Sequence, residues 1–476
     1  MSKKLWIAAA LVFGLAGSVG GAAILTNIAE KKGQAVQPHY RVVELTDRID
    51  DPAIWGKNYP VHYQDYMKTE QMLPTKYGGS YAVPREPTPE DPRTFTTPSK
   101  IEKDPRMAKM WAGFPFSADF REERGHRWNF LDQKYTKRQT EFKMPGTCLN
   151  CHASNYVQMM EAGEGDLFKG FEKMNAMTFD AAAKTINHPV ACIDCHDSQT
   201  MQLRITRPGL IEGIAAVKAK EGIANYDVNR DASRQEMRSL VCAQCHVEYY
   251  FKGDEKRLVF PWANGLKADE IYERYTEVGF SDWTHKLTGT KLVKAQHPEY
   301  ELYQQGTHAR AGVACADCHM PFKREGSQKV SDHHVRSPLL NINRACQSCH
   351  KASEDEMRAR VEAIQDRHHE MVSRALNTLM ALIDDLERVQ KAEGETPRVV
   401  QAREFHRKAS WYVDFVEAEN STGFHAPQEA ARLLGLSMDY ARQGQLALAG
   451  GTLQSTVTID LPQMRNPPNK PKPAQP

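Results

Sequence analysis

The chain has 476 residues, with 62 basic and 60 acidic side chains and a formal net charge of +2. A balance this even excludes a polyanion such as nucleic acid as partner, because that needs an excess of basic residues on one face. A hydrophobic content of 41% and a mean hydropathy of -0.60 describe a polar chain that must find apolar surface beyond its own aliphatic residues.

In chain order, Lys3 and Lys4 precede an apolar run over 5–25 broken only by glycines and Ser18. A basic start before an apolar stretch reads as an export signal. Residues 5–16 have the length of a signal core, and the small residues at 19–23 offer a cleavage site. The whole run of about 20 residues also suits an uncleaved anchor ending at Glu30, Lys31 and Lys32, and that is the preferred reading. Residues 1–32 are therefore expected to be a signal peptide or membrane anchor. From 31 to 106 the chain is studded with prolines, among them Pro52, Pro60, Pro84, Pro87, Pro89 and Pro92, which predicts an extended arm with short turns.

The body, 33–351, repeats one pattern, Cys-x-x-Cys-His. It occurs at Cys148/Cys151/His152, Cys192/Cys195/His196, Cys242/Cys245/His246, Cys315/Cys318/His319 and Cys346/Cys349/His350, and uses all 10 cysteines. Two cysteines on one helical turn can add to the two vinyl groups of a haem, and the adjacent histidine then lies beneath the iron. A single copy would also suit a zinc half-site or a redox dithiol. Five copies, each with its own histidine and no cysteine left over, read as five haem c groups in an oxidising compartment. The gaps between copies are irregular, so the body is no fixed-period solenoid. Short helices ending near each motif are expected, joined by loops that fold over the porphyrin faces.

Beyond the last motif, Met357, Val361, Ile364, Met371, Leu376, Leu379, Leu382, Ile383, Leu386 and Val389 recur mostly at steps of three and four, the mark of a long amphipathic helix. Gly394 and Pro397 stop it, and further helical stretches are expected over 399–419 and 427–443. The region 352–445 is thus a long-helix unit able to pack on the body or on another subunit. Residues 446–476 form the C-terminal tail, and its part from Arg465, rich in Pro and Lys, reads as disordered. His368 and His369, on the long helix, are expected to be exposed.

Several further residues carry a resemblance. Glu248, Tyr249, Tyr250 and Phe251 directly follow the third motif. Then come Lys294, Ala295, Gln296 and His297, the Gly306-Thr307-His308 triplet, Asp332-His333 and Gly423-Phe424-His425. Together they resemble pentahaem cytochrome c nitrite reductase, the ammonia-forming enzyme, over roughly 106–445. The resemblance implies a mainly α multihaem cytochrome c with short helices and loops around five haems. It also implies a homodimer joined through the long C-terminal helices and six-electron reduction of nitrite to ammonium.

Residue by residue, the resemblance makes the haem at Cys148 and Cys151 the open one, with Arg138, Tyr249 and His297 facing substrate. His126, His308, His333 and His425 become distal ligands of the other four haems, with His334 an alternative to His333. One Ca2+ is implied, held by Glu248, Gln296 and the carbonyls of Tyr249 and Lys294. A membrane-bound, quinol-oxidising multihaem cytochrome is the implied donor, and the periplasm the implied location. The chain departs from the family at His152, where most members carry Lys. A neutral imidazole is an adequate proximal ligand, so His152 reads as a ligand variant.

Taken alone, the same residues have plainer readings. Arg138 follows Lys134 and Lys137 and suits a solvated basic face or a haem-propionate partner. Tyr249 suits packing against porphyrin, and His297 a distal ligand. Two non-enzymatic alternatives follow: a pentahaem electron-transfer cytochrome with every iron closed, and a docking subunit for another reductase.

Overall fold

The computed structural model describes residues 3–35, 41–78, 97–122, 124–326 and 328–451. The tail from 452 and the prolines at 84–92 lie outside the described residues. The fold is mainly α, as expected. Among the described residues the strands form three two-stranded antiparallel ladders, Tyr250–Lys252 with Arg257–Val259, Trp283–Thr284 with Lys291–Leu292, and Phe322–Glu325 with Gln328–Ser331.

The N-terminal run forms the helix Lys3–Ala35. Gly14, Gly17, Gly20 and Gly21 dilute its apolar stretch, and no helix among the described residues is long and apolar enough to cross a membrane. In the arm, prolines start helices as well as limiting them. Pro52 and Pro60 open Pro52–Asn58 and Pro60–Met67, where a missing N–H costs nothing in a first turn. Leu45 and Trp55 pack there with Tyr156, Val157 and Ile193, so the arm covers the second motif.

Three long helices, Glu354–Glu393, Pro397–Glu417 and Pro427–Leu448, pack on one another and share a core with the body. Ser353 caps the first by accepting from the Glu356 N–H, and three acidic residues fill its first turn. It ends at Gly394, whose φ of +72° is a conformation that glycine adopts without strain. The predicted stripe is buried at Leu376, Leu379, Leu382, Ile383 and Leu386. His368 departs from expectation. It is buried against the backbone of Gly423, where a Cβ would lie 2.4 Å from its Nδ1, while His369 is exposed.

The motifs fall on short helical turns, as expected: Leu149–His152, Cys192–Cys195, the end of Arg234–Ala243, Cys315–His319, and the turn after Ile342–Ala345. Nine motif cysteines are half-buried, whereas Cys349 is exposed, as is His350 beside it. The fifth motif rests on a small cluster of its own, Leu339, Ile342, Met357 and Val361, against which Cys346 packs.

Apart from the motifs, His285 and His406 form a buried knot with Thr288 and Thr290. His406 Nδ1 lies 2.9 Å from Thr290 Oγ1, and the His285 ring is edge-on to the His406 ring at 5.1 Å.

Burial, and next to it His285, holds the His406 pKa well below the ordinary histidine value of 6.5. Below that value the unfolded chain takes up a proton that the folded chain refuses, so stability is full above it and declines as pH falls beneath it. We expect the thermal midpoint to fall on acidification from pH 7 to 5. His406→Asn should make that decline shallower, by up to about 1.4 kcal/mol per pH unit. Equal slopes in the two proteins would assign the decline to other groups.

Candidate active site

A cavity of about 430 Å³ lies beside the first motif, and its walls include Cys148, His152, Arg138, Tyr249, Gln296 and His297. The basic run is split by the short helix Lys137–Thr140. Lys134 stays exposed, while Arg138, four residues on, is only 6% exposed. Asp119 accepts from the Lys137 N–H at 2.9 Å and ties this turn to the loop of Phe116 and Phe120. The guanidinium then sits over those two rings, 4.3 and 5.5 Å from their centres, and its Nη2 donates to Gln133 Oε1 at 3.1 Å. The solvated-face reading of Arg138 is thereby excluded.

Tyr249 is half-buried and its ring stacks on that of Phe251, with centres 5.5 Å apart. Burial raises its pKa well above the ordinary value, so the phenol keeps its proton. His297 is pressed well below its ordinary pKa, first by burial, then by His152, His246, Lys294 and Arg138. At neutral pH it is therefore a neutral imidazole able to pass a proton, and no standing cation, which refines the expectation from sequence.

Three of the other four motif histidines face second imidazoles. Ring centres are 6.1 Å apart for His196 and His333, 6.3 Å for His319 and His425, and 6.2 Å for His350 and His308. Two imidazoles each bonded at about 2 Å to one metal between them have ring centres about 6 Å apart, so these pairs fit the axial positions of a haem. The fifth motif thus keeps its facing ring although Cys349 and His350 stand at the surface. For His246, His126 heads the neighbouring histidines that, after burial, press its pKa down to about 4. His334 is turned to Arg336, whose Nη1 lies 3.1 Å from its Nδ1. Sequence reasoning missed His62, whose ring meets His333 edge-on at 4.9 Å.

Behind the cavity, Glu248 is fully buried, and its carboxylate accepts from the Tyr275 hydroxyl at 2.7 Å and the Gln296 N–H at 2.6 Å. Burial, with the neighbouring Glu301 adding to it, raises its pKa well above the carboxylate range. The Gln296 side-chain amide donates to the Lys294 carbonyl at 3.1 Å, and a half-turn of that amide would present its oxygen instead. Glu248, Gln296 and this carbonyl are oxygen donors of the kind a hard cation takes. The Lys294 ammonium is fully buried against Asp414, 2.9 Å away.

The chain matches the cytochrome c552 family over residues 51–475. It belongs to that family. Among its relatives are the cytochrome c-552 of Parabacteroides distasonis, 39% identical over 85% of this chain and 78% of that one, and that of Bacteroides fragilis strain YCH46, 36% identical over 92% and 85%. Among solved structures it is similar to the cytochrome c nitrite reductase of Desulfovibrio desulfuricans, a catalytic subunit described with two calcium sites. The TM-score is 0.73 and the identity 29%, over 86% of this chain and 88% of that one.

In this cytochrome c552, sequence reasoning also missed what binds the motifs together. The residue before each second cysteine is polar, namely Asn150, Asp194, Gln244, Asp317 and Ser348, and that signal was open to view. Arg207 is buried and donates to the carbonyls of Asn150 and Ala153 at 2.7 and 3.0 Å and to Asp194 at 2.9 Å. Gln244 Oε1 accepts from the Arg207 N–H at 3.1 Å. Arg238, just ahead of the third motif, pairs with Asp317 of the fourth at 2.9 Å. Four motifs are thus tied in sequence order by two arginines.

Arg207→Met would strand the Asp194 carboxylate and two backbone carbonyls in the interior. We expect a loss of about 3–5 kcal/mol in chemical unfolding. A change under about 1 kcal/mol would mean that the motifs hold their places without this ion pair.

Proposed function

We propose that this chain reduces nitrite to ammonium at its first motif, in the periplasm, after export by residues 1–32. The observation that carries the proposal is the cavity at Cys148 and His152, walled by Arg138, Tyr249 and His297, while His196, His319 and His350 each face a second imidazole. The ten motif cysteines would hold five haem c groups, the fifth through a half-buried Cys346 and an exposed Cys349. His152, His196, His246, His319 and His350 would be proximal ligands, and His126, His308, His333 and His425 distal ligands for all haems but the first. Bound there, haem supplies single electrons to substrate at an open iron position.

The chain's own residues supply charge, orientation and protons. Nitrite is an anion, and the Arg138 fork can donate to its oxygens from a planar, permanently charged group. The Tyr249 phenol adds a donor that stays protonated. The neutral His297 can accept a proton from solvent and release it toward the departing oxygens. Six electrons and eight protons carry nitrite to ammonium and two waters, so proton delivery matters as much as charge. Glu248, Gln296 and the carbonyls of Tyr249 and Lys294 would hold one Ca2+, pinning Tyr249 and His297 from behind. The long helices of 352–445 offer a face for a homodimer. A membrane-bound, quinol-oxidising multihaem cytochrome is the donor class that the family resemblance suggests.

The oxidised holoprotein should show one high-spin haem among low-spin ones, and nitrite should shift the high-spin signal. Arg138→Ala should keep five haems yet lose about a hundredfold in nitrite turnover. An entirely low-spin spectrum, with no oxidation of reduced protein by nitrite, would return the electron-carrier reading. Exhaustive chelation should remove about one calcium per chain and slow turnover. Metal analysis finding none, with turnover intact, would delete the calcium.

A further inference from the structure

We infer that Gln133 is a positioning and selectivity residue, holding the Arg138 guanidinium through a neutral acceptor so that its positive charge stays available to an anionic ligand. The inference rests on the nitrite-reducing reading of the same cavity and adds a residue to it. Three other arginines with little exposure are matched with carboxylates. Arg124 makes a two-pronged contact with Asp132 at 2.6 to 3.0 Å, Arg207 pairs with Asp194 at 2.9 Å, and Arg238 with Asp317 at 2.9 Å. Arg138 alone of these four has an amide as its polar partner, Gln133 Oε1 at 3.1 Å, and its Nε has no hydrogen-bond partner among the described residues.

The acids nearby are committed elsewhere. Asp119 accepts from Arg121 Nε and from the Lys137 N–H, at 2.8 and 2.9 Å. Glu122 pairs with Lys100 at 2.6 Å, and Asp282 accepts from the Lys294 N–H at 2.8 Å. Gln139, beside Arg138 on the cavity wall, is 3% exposed, and neither atom of its amide has a hydrogen-bond partner among the described residues. The polar side chains beside the guanidinium on its own segment, Gln133 and Gln139, are therefore neutral amides, while the acids of the cavity wall, Glu122 and Asp282, are engaged by Lys100 and by the Lys294 N–H. A neutral acceptor aims the planar fork through one hydrogen bond. A carboxylate at the same point would aim it equally well, but would neutralise the cation and set a negative charge against an incoming anion.

Gln133→Glu keeps side-chain length and acceptor and adds only charge, so it separates these effects. In the oxidised holoprotein, the dissociation constant for nitrite, read from the haem absorption change, should rise at least about tenfold. In the reduced protein, binding of carbon monoxide, a neutral ligand, should stay within about twofold of the unaltered protein, because no charge is involved. Gln133→Ala loses the tether without adding charge, so its nitrite affinity should fall between the two. Nitrite affinity unchanged in Gln133→Glu would overturn the inference, as would equal weakening of nitrite and carbon monoxide, which would mark a structural role. If the unaltered protein binds neither ligand, the open-site reading falls and takes this inference with it. If it binds both and Gln133→Glu does so equally well, only the inference is lost.

Discussion

Arg207 is the contact on which the arrangement of motifs depends. Its guanidinium reaches the backbone of the first motif and the side chain of the second, while its own backbone N–H is held by Gln244 of the third. An arginine in the interior is costly unless each donor finds an acceptor. Here Nε and Nη2 take the two carbonyls and the carboxylate, and Nη1 takes the Thr206 hydroxyl at 2.9 Å. The consequence is geometric. Motifs well separated in sequence are locked to one another, as attachment sites must be if electrons are to pass between them.

The opposed imidazoles impose the second constraint. A motif fixes one histidine beneath each cofactor, but the facing ring must arrive from elsewhere, His333 for His196 and His425 for His319. Each pair needs a fixed separation, which suits a body built mostly of short helices and loops. Gly306 shows how tight this delivery is. A Cβ there would lie 2.0 Å from the His425 carbonyl oxygen, so the segments bearing His308 and His425 touch backbone to backbone.

The surroundings of the first motif differ in electrostatic character. Elsewhere in the interior the Lys294 ammonium is matched by the Asp414 carboxylate. Beside His152 the chain gathers a guanidinium, a phenol that keeps its proton and an imidazole kept neutral by burial. Such a pocket attracts an anion and can feed it protons, while Glu248 and Tyr275 brace the turn that carries Tyr249. The same burial that makes the pocket reactive also makes it expensive. The cost is offset by the aromatic faces of Phe116 and Phe120 against Arg138.

Much of this protein was legible in its sequence. Cysteine count and spacing are covalent facts that no fold can alter, and they named the cofactor class, the number of groups and their proximal histidines. The step-three and step-four stripe from Met357 to Val389 named the long helix, because helical periodicity is local. Arg138, Tyr249 and His297 were found through resemblance, since taken alone each had a plainer reading. Which side chains meet was out of reach, both locally, as with Gln133 against Arg138, and across longer separations, as with Asp194 against Arg207, Tyr275 against Glu248, and the burial of His368 by Gly423. Whether a charge in the interior is compensated or left free depends on which side chain the folded backbone brings opposite it, and only the tertiary structure decided that.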